Sequence, residues 1–120
     1  MLFRSEQLTR LTGDLRAAVG RDAPILVDQE GGRVQRLRAP YWREWAAPLE
    51  TVEKAGPHAP RAMALRAMVM AAELRAVGID ANCAPVADIA GPDTHPFLRN
   101  RCYGQDVATV TAVEIGRAHV

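Results

Sequence analysis

The stretch Pro24–Arg36, PILVDQEGGRVQR, decides how this chain is read. It opens with a short apolar, β-branched run and no alternation, the pattern of a strand covered on both faces. Nine positions follow, Asp28–Arg36, holding two acids, two arginines, two glutamines and two glycines. If Pro24–Asp28 is a strand, Asp28 is its last residue and stands at the mouth of the sheet. A carboxylate there can accept hydrogen bonds from two neighbouring hydroxyls, as in a vicinal diol. Gly31 and Gly32 permit positive φ or close backbone approach. Arg33 and Arg36 supply rigid, fork-shaped donors. The same residues also suit a structural turn, with Asp28 bonding its own backbone and Glu–Arg pairs facing solvent. Both readings stand on composition alone. The stretch lacks the glycine spacing of a dinucleotide site and the lysine of a triphosphate loop.

Outward from this stretch, Leu8, Leu11, Leu15 and Val19 recur at helical spacing and predict an amphipathic helix over residues 6–19, with Ser5 capping its start and Gly20 ending it. Residues 29–58 show no sustained periodicity and read as a long irregular connection, anchored by Trp42 and Trp45. Pro60 suits a first helical turn, and Arg61–Val77 is rich in Ala, Met, Leu and Val, predicting a largely buried helix stopped by Gly78. Residues 79–84 form a second candidate strand edged by Pro85. A loop through PDTHPFLRNRCYG and a third helix over 105–114 complete the series. Alternation of this kind predicts an α/β fold with a parallel sheet. Both polar clusters follow strands, where ligand sites of such sheets gather.

The second cluster is LRNRCYG, Leu98–Gly104. Arg99 and Arg101 either reach the same mouth as Asp28 or form a solvated basic turn. Asp80, Asn82 and Asp88 surround the second strand; Asp80 reads as a turn-bonding residue. His58 and His95 are isolated loop histidines without metal-ligand spacing.

Composition narrows the class. The chain has 120 residues, 48% hydrophobic and 24% charged, and a formal net charge of +1 from fifteen basic and fourteen acidic residues. The basic residues are spread along the chain, so no stripe advertises nucleic acid. No apolar run approaches a membrane span, and MLFRSEQLTR lacks the apolar core of a signal peptide. Cys83 and Cys102 read as free thiols of a reducing compartment.

ILVDQEGGRVQRLR closely resembles the signature of family 3 glycoside hydrolases of the bacterial β-N-acetylhexosaminidase type. The resemblance continues through AELRAVGIDANCAPVADIA and ends in NRCYG, which is similar to the family's arginine-bearing turn. It implies a TIM-type (β/α)8 barrel of which this chain is roughly the first half, since a whole barrel needs about 250 residues. It implies a cytoplasmic, monomeric enzyme of peptidoglycan recycling that releases N-acetylglucosamine from muropeptides by retention. No metal, organic cofactor, nucleic acid or membrane is implied. By resemblance, Asp28, Arg36 and Arg101 contact the sugar. The family's Lys-His pair, histidine acid/base and aspartate nucleophile have no counterpart here and are expected beyond the chain's end, so the chain alone is expected to be inactive. A β-glucosidase-like member of the same superfamily and a non-catalytic sugar-binding half-barrel are the alternatives. The chain is expected to form a single incomplete barrel domain over 1–120. Residues 1–5 and 115–120 read as translated sequencing-adapter tails, leaving a native segment of about 6–113.

Overall fold

A computed structural model describes residues 4–118, with side chains up to Glu114. Helix α1 spans Ser5–Val19 and ends as predicted, with Gly20 at φ 71° donating to the carbonyls of Arg16 and Ala17. Its start differs. Arg4 is the boundary residue, and Ser5 lies inside the first turn, where its carbonyl accepts from the Thr9 hydroxyl. Met1–Phe3 and the last two residues, parts of the two terminal stretches read as adapter-derived, lie outside the described residues.

Strand β1, Leu26–Val27, pairs in parallel with β4, Ala81–Asn82, matching Leu26 to Ala81 and Val27 to Asn82. Both strands are shorter than predicted. Leu26 is 58% exposed, so the strand is not covered on both faces as its composition suggests. With only two strands side by side, one flank of each meets no neighbour among the described residues.

The connection over 29–58 is more ordered than predicted. β2, Gln29–Gly31, and β3, Val34–Gln35, form an antiparallel hairpin. Gln29 faces Gln35 while Gly31 faces Val34, so Glu30 is the extra residue of a bulge. Helix α2, Pro48–Ala55, and a 3-10 turn, Gly56–His58, follow. The short apolar spacing that packs these pieces, Leu49 and Val52, is too brief to register as periodicity.

Helix α3, Ala59–Arg75, begins two residues early and packs on both α2 and α5. Met63, Arg66, Met70 and Leu74 form its buried stripe, while Leu65, Met68 and Val69 are exposed on other faces. The helix is therefore half-buried rather than largely buried. On α1, likewise, Leu8 and Thr12 are buried and Leu11, Leu15 and Val19 are exposed. A short helix α4, Pro96–Arg99, interrupts the second loop, and α5 runs Val107–Ala118.

Among the described residues three apolar clusters hold these elements, the smallest being Leu49, Ala90 and Cys102. Leu8, Leu37, Met70, Leu74, Val77 and Ile79 pack under β1 with Trp42 and Trp45 against them. Val52, Ala59, Met63, Tyr103 and Val113 join α2, α3 and α5. Asp80, expected to bond its own turn, instead accepts from Arg16 at 2.5 Å and from the Ile25 amide at 2.8 Å, tying α1 to the sheet.

Candidate functional site

The mouth of the sheet is built from main chain pinned by amides. At the end of β4, Asn82 accepts from the Gln29 N–H at 2.9 Å and donates to the Gln29 carbonyl at 2.8 Å. Gln29 is itself buried. Its side-chain oxygen accepts from the amides of Arg36 and Leu37, and its side-chain nitrogen donates to the Leu37 carbonyl. Gln35 donates to the carbonyls of Leu37 and Arg43 and accepts from the Trp45 amide. The two glutamines of the opening stretch are thus scaffold. Each buried amide is satisfied, as burial requires.

Asp28 follows β1 directly, with its side chain 47% exposed. Its carboxylate accepts a long bond, 3.4 Å, from Arg36 Nη2, and Arg36 is 59% exposed. This loose pair leaves both side chains free to turn to a ligand. Cys83, one residue past β4, stands beside them. Desolvation, then the bond to and the charge of the Asp28 carboxylate, push its thiol pKa up, with the Glu30 charge adding.

Arg101 reaches the same mouth, as one of its two sequence readings had it. It donates from Nε to Glu30 Oε2 at 2.9 Å and from Nη2 to Glu30 Oε1 at 2.8 Å. The Glu30 side chain is 3% exposed and that of Arg101 31%. The bond to Glu30 holds the Arg101 guanidinium above its usual pKa range, opposed by desolvation and aided by the charges of Glu30, Asp88 and Asp28. Arg99 does not join them; it donates to the Gly91 carbonyl and to Gln105. Arg33 also turns away. It donates to the Phe97 carbonyl and to Asn100, and its guanidinium lies 3.7 Å from the Phe97 ring centroid. Of the loop histidines, His95 accepts the Phe97 amide at the start of α4, and His58 is exposed. Among the described residues no group of three or more metal-ligating side chains comes together.

Sequence reading missed Arg66. It sits in an Ala- and Met-rich helix, yet it is buried, donating to Glu30 O and Ala46 O at 2.7 Å each and to Thr51 Oγ1 at 2.7 Å, with Trp45 alongside. The available signal was a lone arginine on the buried stripe of an apolar helix, which must find acceptors. A cavity of about 470 Å³ lies between α3 and β4, lined by apolar Ala67, Ala71 and Leu74 and by polar Arg75, Asp80 and Asn82.

Asp28, Arg36 and Arg101 thus gather near the carboxyl end of the parallel β1–β4 pair, where ligand sites of α/β scaffolds lie. The chain matches the glycosyl hydrolase family 3 N terminal domain over residues 2–119, and it belongs to that family. It is 38% identical over 121 residues to a β-hexosaminidase of Stenotrophomonas maltophilia, which covers 95% of this chain and 35% of the relative. It is 43% identical over 120 residues to a β-hexosaminidase of Xanthomonas campestris pv. campestris, over 94% of this chain and 35% of the relative. The crystal structure of native NagZ from Neisseria gonorrhoeae superposes with a TM-score of 0.82 at 28% identity, over 98% of this chain and 36% of that one. A second NagZ structure from the same organism, in complex with N-trifluoroacetyl-D-glucosamine, gives 0.81. The chain therefore spans about a third of the length of the relatives it matches, and its architecture is the partial TIM-type (β/α)8 barrel expected.

Proposed function

We propose that this segment supplies the sugar-recognition side of a β-N-acetylhexosaminidase. The enzyme that carries it hydrolyses terminal N-acetylglucosamine from peptidoglycan-derived muropeptides by retention, as a cytoplasmic monomer. Asp28, Arg36 and Arg101 contact the sugar, and the nucleophile and acid/base come from chain outside these 120 residues. The observation that carries this reading is the half-exposed, loosely paired Asp28 carboxylate at the end of β1, next to Arg36 and within the field of Arg101. A carboxylate held by rigid backbone, with spare acceptor capacity, suits paired sugar hydroxyls. Support also comes from the relatives named β-hexosaminidase and from the bound glucosamine derivative in a structural neighbour.

The test is a titration of N-acetylglucosamine into the isotope-labelled chain, followed by amide NMR, with glucose in parallel. Shifts centred on Asp28, Arg36 and Arg101, larger for N-acetylglucosamine, support the reading. Equal response to glucose favours a β-glucosidase-like specificity, and no response at the mouth overturns it. The 120-residue chain is expected to leave a chromogenic N-acetylglucosaminide uncleaved; turnover above background refutes the assignment of the chemistry to other segments.

A further inference from the structure

We infer that Glu30 is a positioning residue: it aims Arg101 and cancels its charge, so that the mouth takes a neutral sugar oxygen rather than an anion. This rests on the reading of the mouth as a sugar site. The first observation is geometric. Glu30 binds Arg101 side-on, through Nε and Nη2, and this leaves Nη1 with no partner among the described residues. A guanidinium gripped on one edge keeps a fixed direction for the remaining donor.

The second observation is that Glu30 is itself immovable. It is the extra residue of the β2–β3 bulge, a device that re-aims a side chain next to a site. Its carbonyl accepts from Arg66 Nη2 at 2.7 Å, and Arg66 is buried and anchored to Ala46 and Thr51. The neighbouring Gln29 is pinned through both its N–H and its carbonyl by Asn82. Glu30 is thus fixed from α3 and β4, and transmits that fixity to a residue 71 positions away. At 3% exposure its carboxylate has no room to touch a ligand itself.

The third observation is electrostatic. The groups facing Arg101 are Glu30, Asp88 and Asp28, all acidic. The guanidinium is compensated before any ligand arrives. An uncompensated arginine selects carboxylates and phosphates; a compensated one, set among further carboxylates, repels them and retains its hydrogen-bond donor for hydroxyl or amide oxygen.

The experiment compares Glu30→Gln, Glu30→Asp, Arg101→Ala and the Glu30→Gln/Arg101→Ala pair in the full-length protein that carries this segment. Substrate is a chromogenic N-acetylglucosaminide, and N-acetylglucosamine and glucuronate serve as competing ligands. Glu30→Gln is expected to raise KM about tenfold with kcat little changed, the size of one lost charged hydrogen bond. It is expected to add nothing in the Arg101→Ala background, and to shift inhibition toward glucuronate relative to N-acetylglucosamine. Glu30→Asp, which keeps the charge, should leave that selectivity unshifted. Additive losses, or unchanged selectivity in Glu30→Gln, overturn the proposal; where Glu30→Gln does not fold, a KM unchanged in Glu30→Asp overturns it equally. If the unaltered protein fails to turn over the N-acetylglucosaminide, the functional reading fails separately. The Arg101 Nε–H NMR signal in the 120-residue chain then decides the positioning role: slow exchange lost in Glu30→Gln supports it, and an identical signal refutes it.

Discussion

Asp28 and Glu30 lie two residues apart and occupy opposite environments, one side chain 47% exposed and held to Arg36 by a long 3.4 Å bond, the other 3% exposed in a two-point ion pair. The bulge at Glu30 produces this contrast, because it turns one acid inward while its neighbour-but-one stays at the strand end. Substitution should therefore separate binding from stability. Asp28→Ala is expected to change folding stability by no more than about 0.5 kcal/mol, as is usual for exposed positions. In the full-length protein it is expected to cost roughly ten- to hundred-fold in kcat/KM, through one lost charged hydrogen bond to the sugar. Glu30→Ala is expected to destabilise the fold by about 2–4 kcal/mol, below the figure for a fully buried pair because Arg101 retains access to water. Thermal melts and steady-state kinetics on both variants check this.

Arg66 and Gly31 share one contact. A Cβ on Gly31, whose φ is 105°, would stand 2.1 Å from Arg66 Nη2 and 2.6 Å from the Ala46 carbonyl oxygen. Arg66→Met removes the donor to three oxygens beneath the hairpin and is expected to cost about 3 kcal/mol or more. Gly31→Ala should be comparably destabilising, since it displaces the same guanidinium and strains the backbone. Because both act on one seat, the double variant should cost less than the sum. Denaturant unfolding of the two single variants and the pair measures the coupling.

Asp106 sets a pH dependence. Its carboxylate accepts from the Thr109 amide at 2.8 Å and the Thr109 hydroxyl at 2.8 Å, at the start of α5. These bonds hold its pKa below the ordinary carboxylate value. A lowered folded-state pKa means that the ionised form is favoured by folding. The resulting stability is present above the ordinary pKa and is lost as pH falls through the folded one. Asp106→Asn keeps a cap but does not titrate, so its melting temperature should fall less steeply on the acid side. Melting curves from neutral pH to acid check the difference in slope.

Cys83 and Cys102 should react differently. Cys83 is exposed and Cys102 buried, so a maleimide is expected to label Cys83 alone in the folded chain. The thiol of Cys83 is raised by desolvation and by Asp28, which makes its thiolate scarcer at neutral pH. Asp28→Asn removes a neighbouring negative charge and should speed alkylation. Mass spectrometry of labelling time courses at several pH values reads both effects.

Local sequence alone determined a good deal of this protein. The spacing of Leu8, Leu11, Leu15 and Val19 with Gly20 behind them specified α1, because helical period and a left-handed terminator are properties of adjacent residues. The apolar run before Asp28 placed that acid at a strand end, and the DQEGG stretch itself carried the family resemblance. Tertiary structure decided the partners. No local pattern indicates that Glu30 meets Arg101 across 71 residues, that Arg66 threads beneath the hairpin, or that Asn82 locks Gln29. The helical spacing of α1 and α3 also left open which apolar residues are covered, and Leu11, Leu15, Met68 and Val69 remain exposed. Periodicity records which way a side chain faces. Burial and ion pairing depend on what stands opposite, and that is decided only when distant segments are brought together by the parallel β1–β4 pairing and the crossover that joins them.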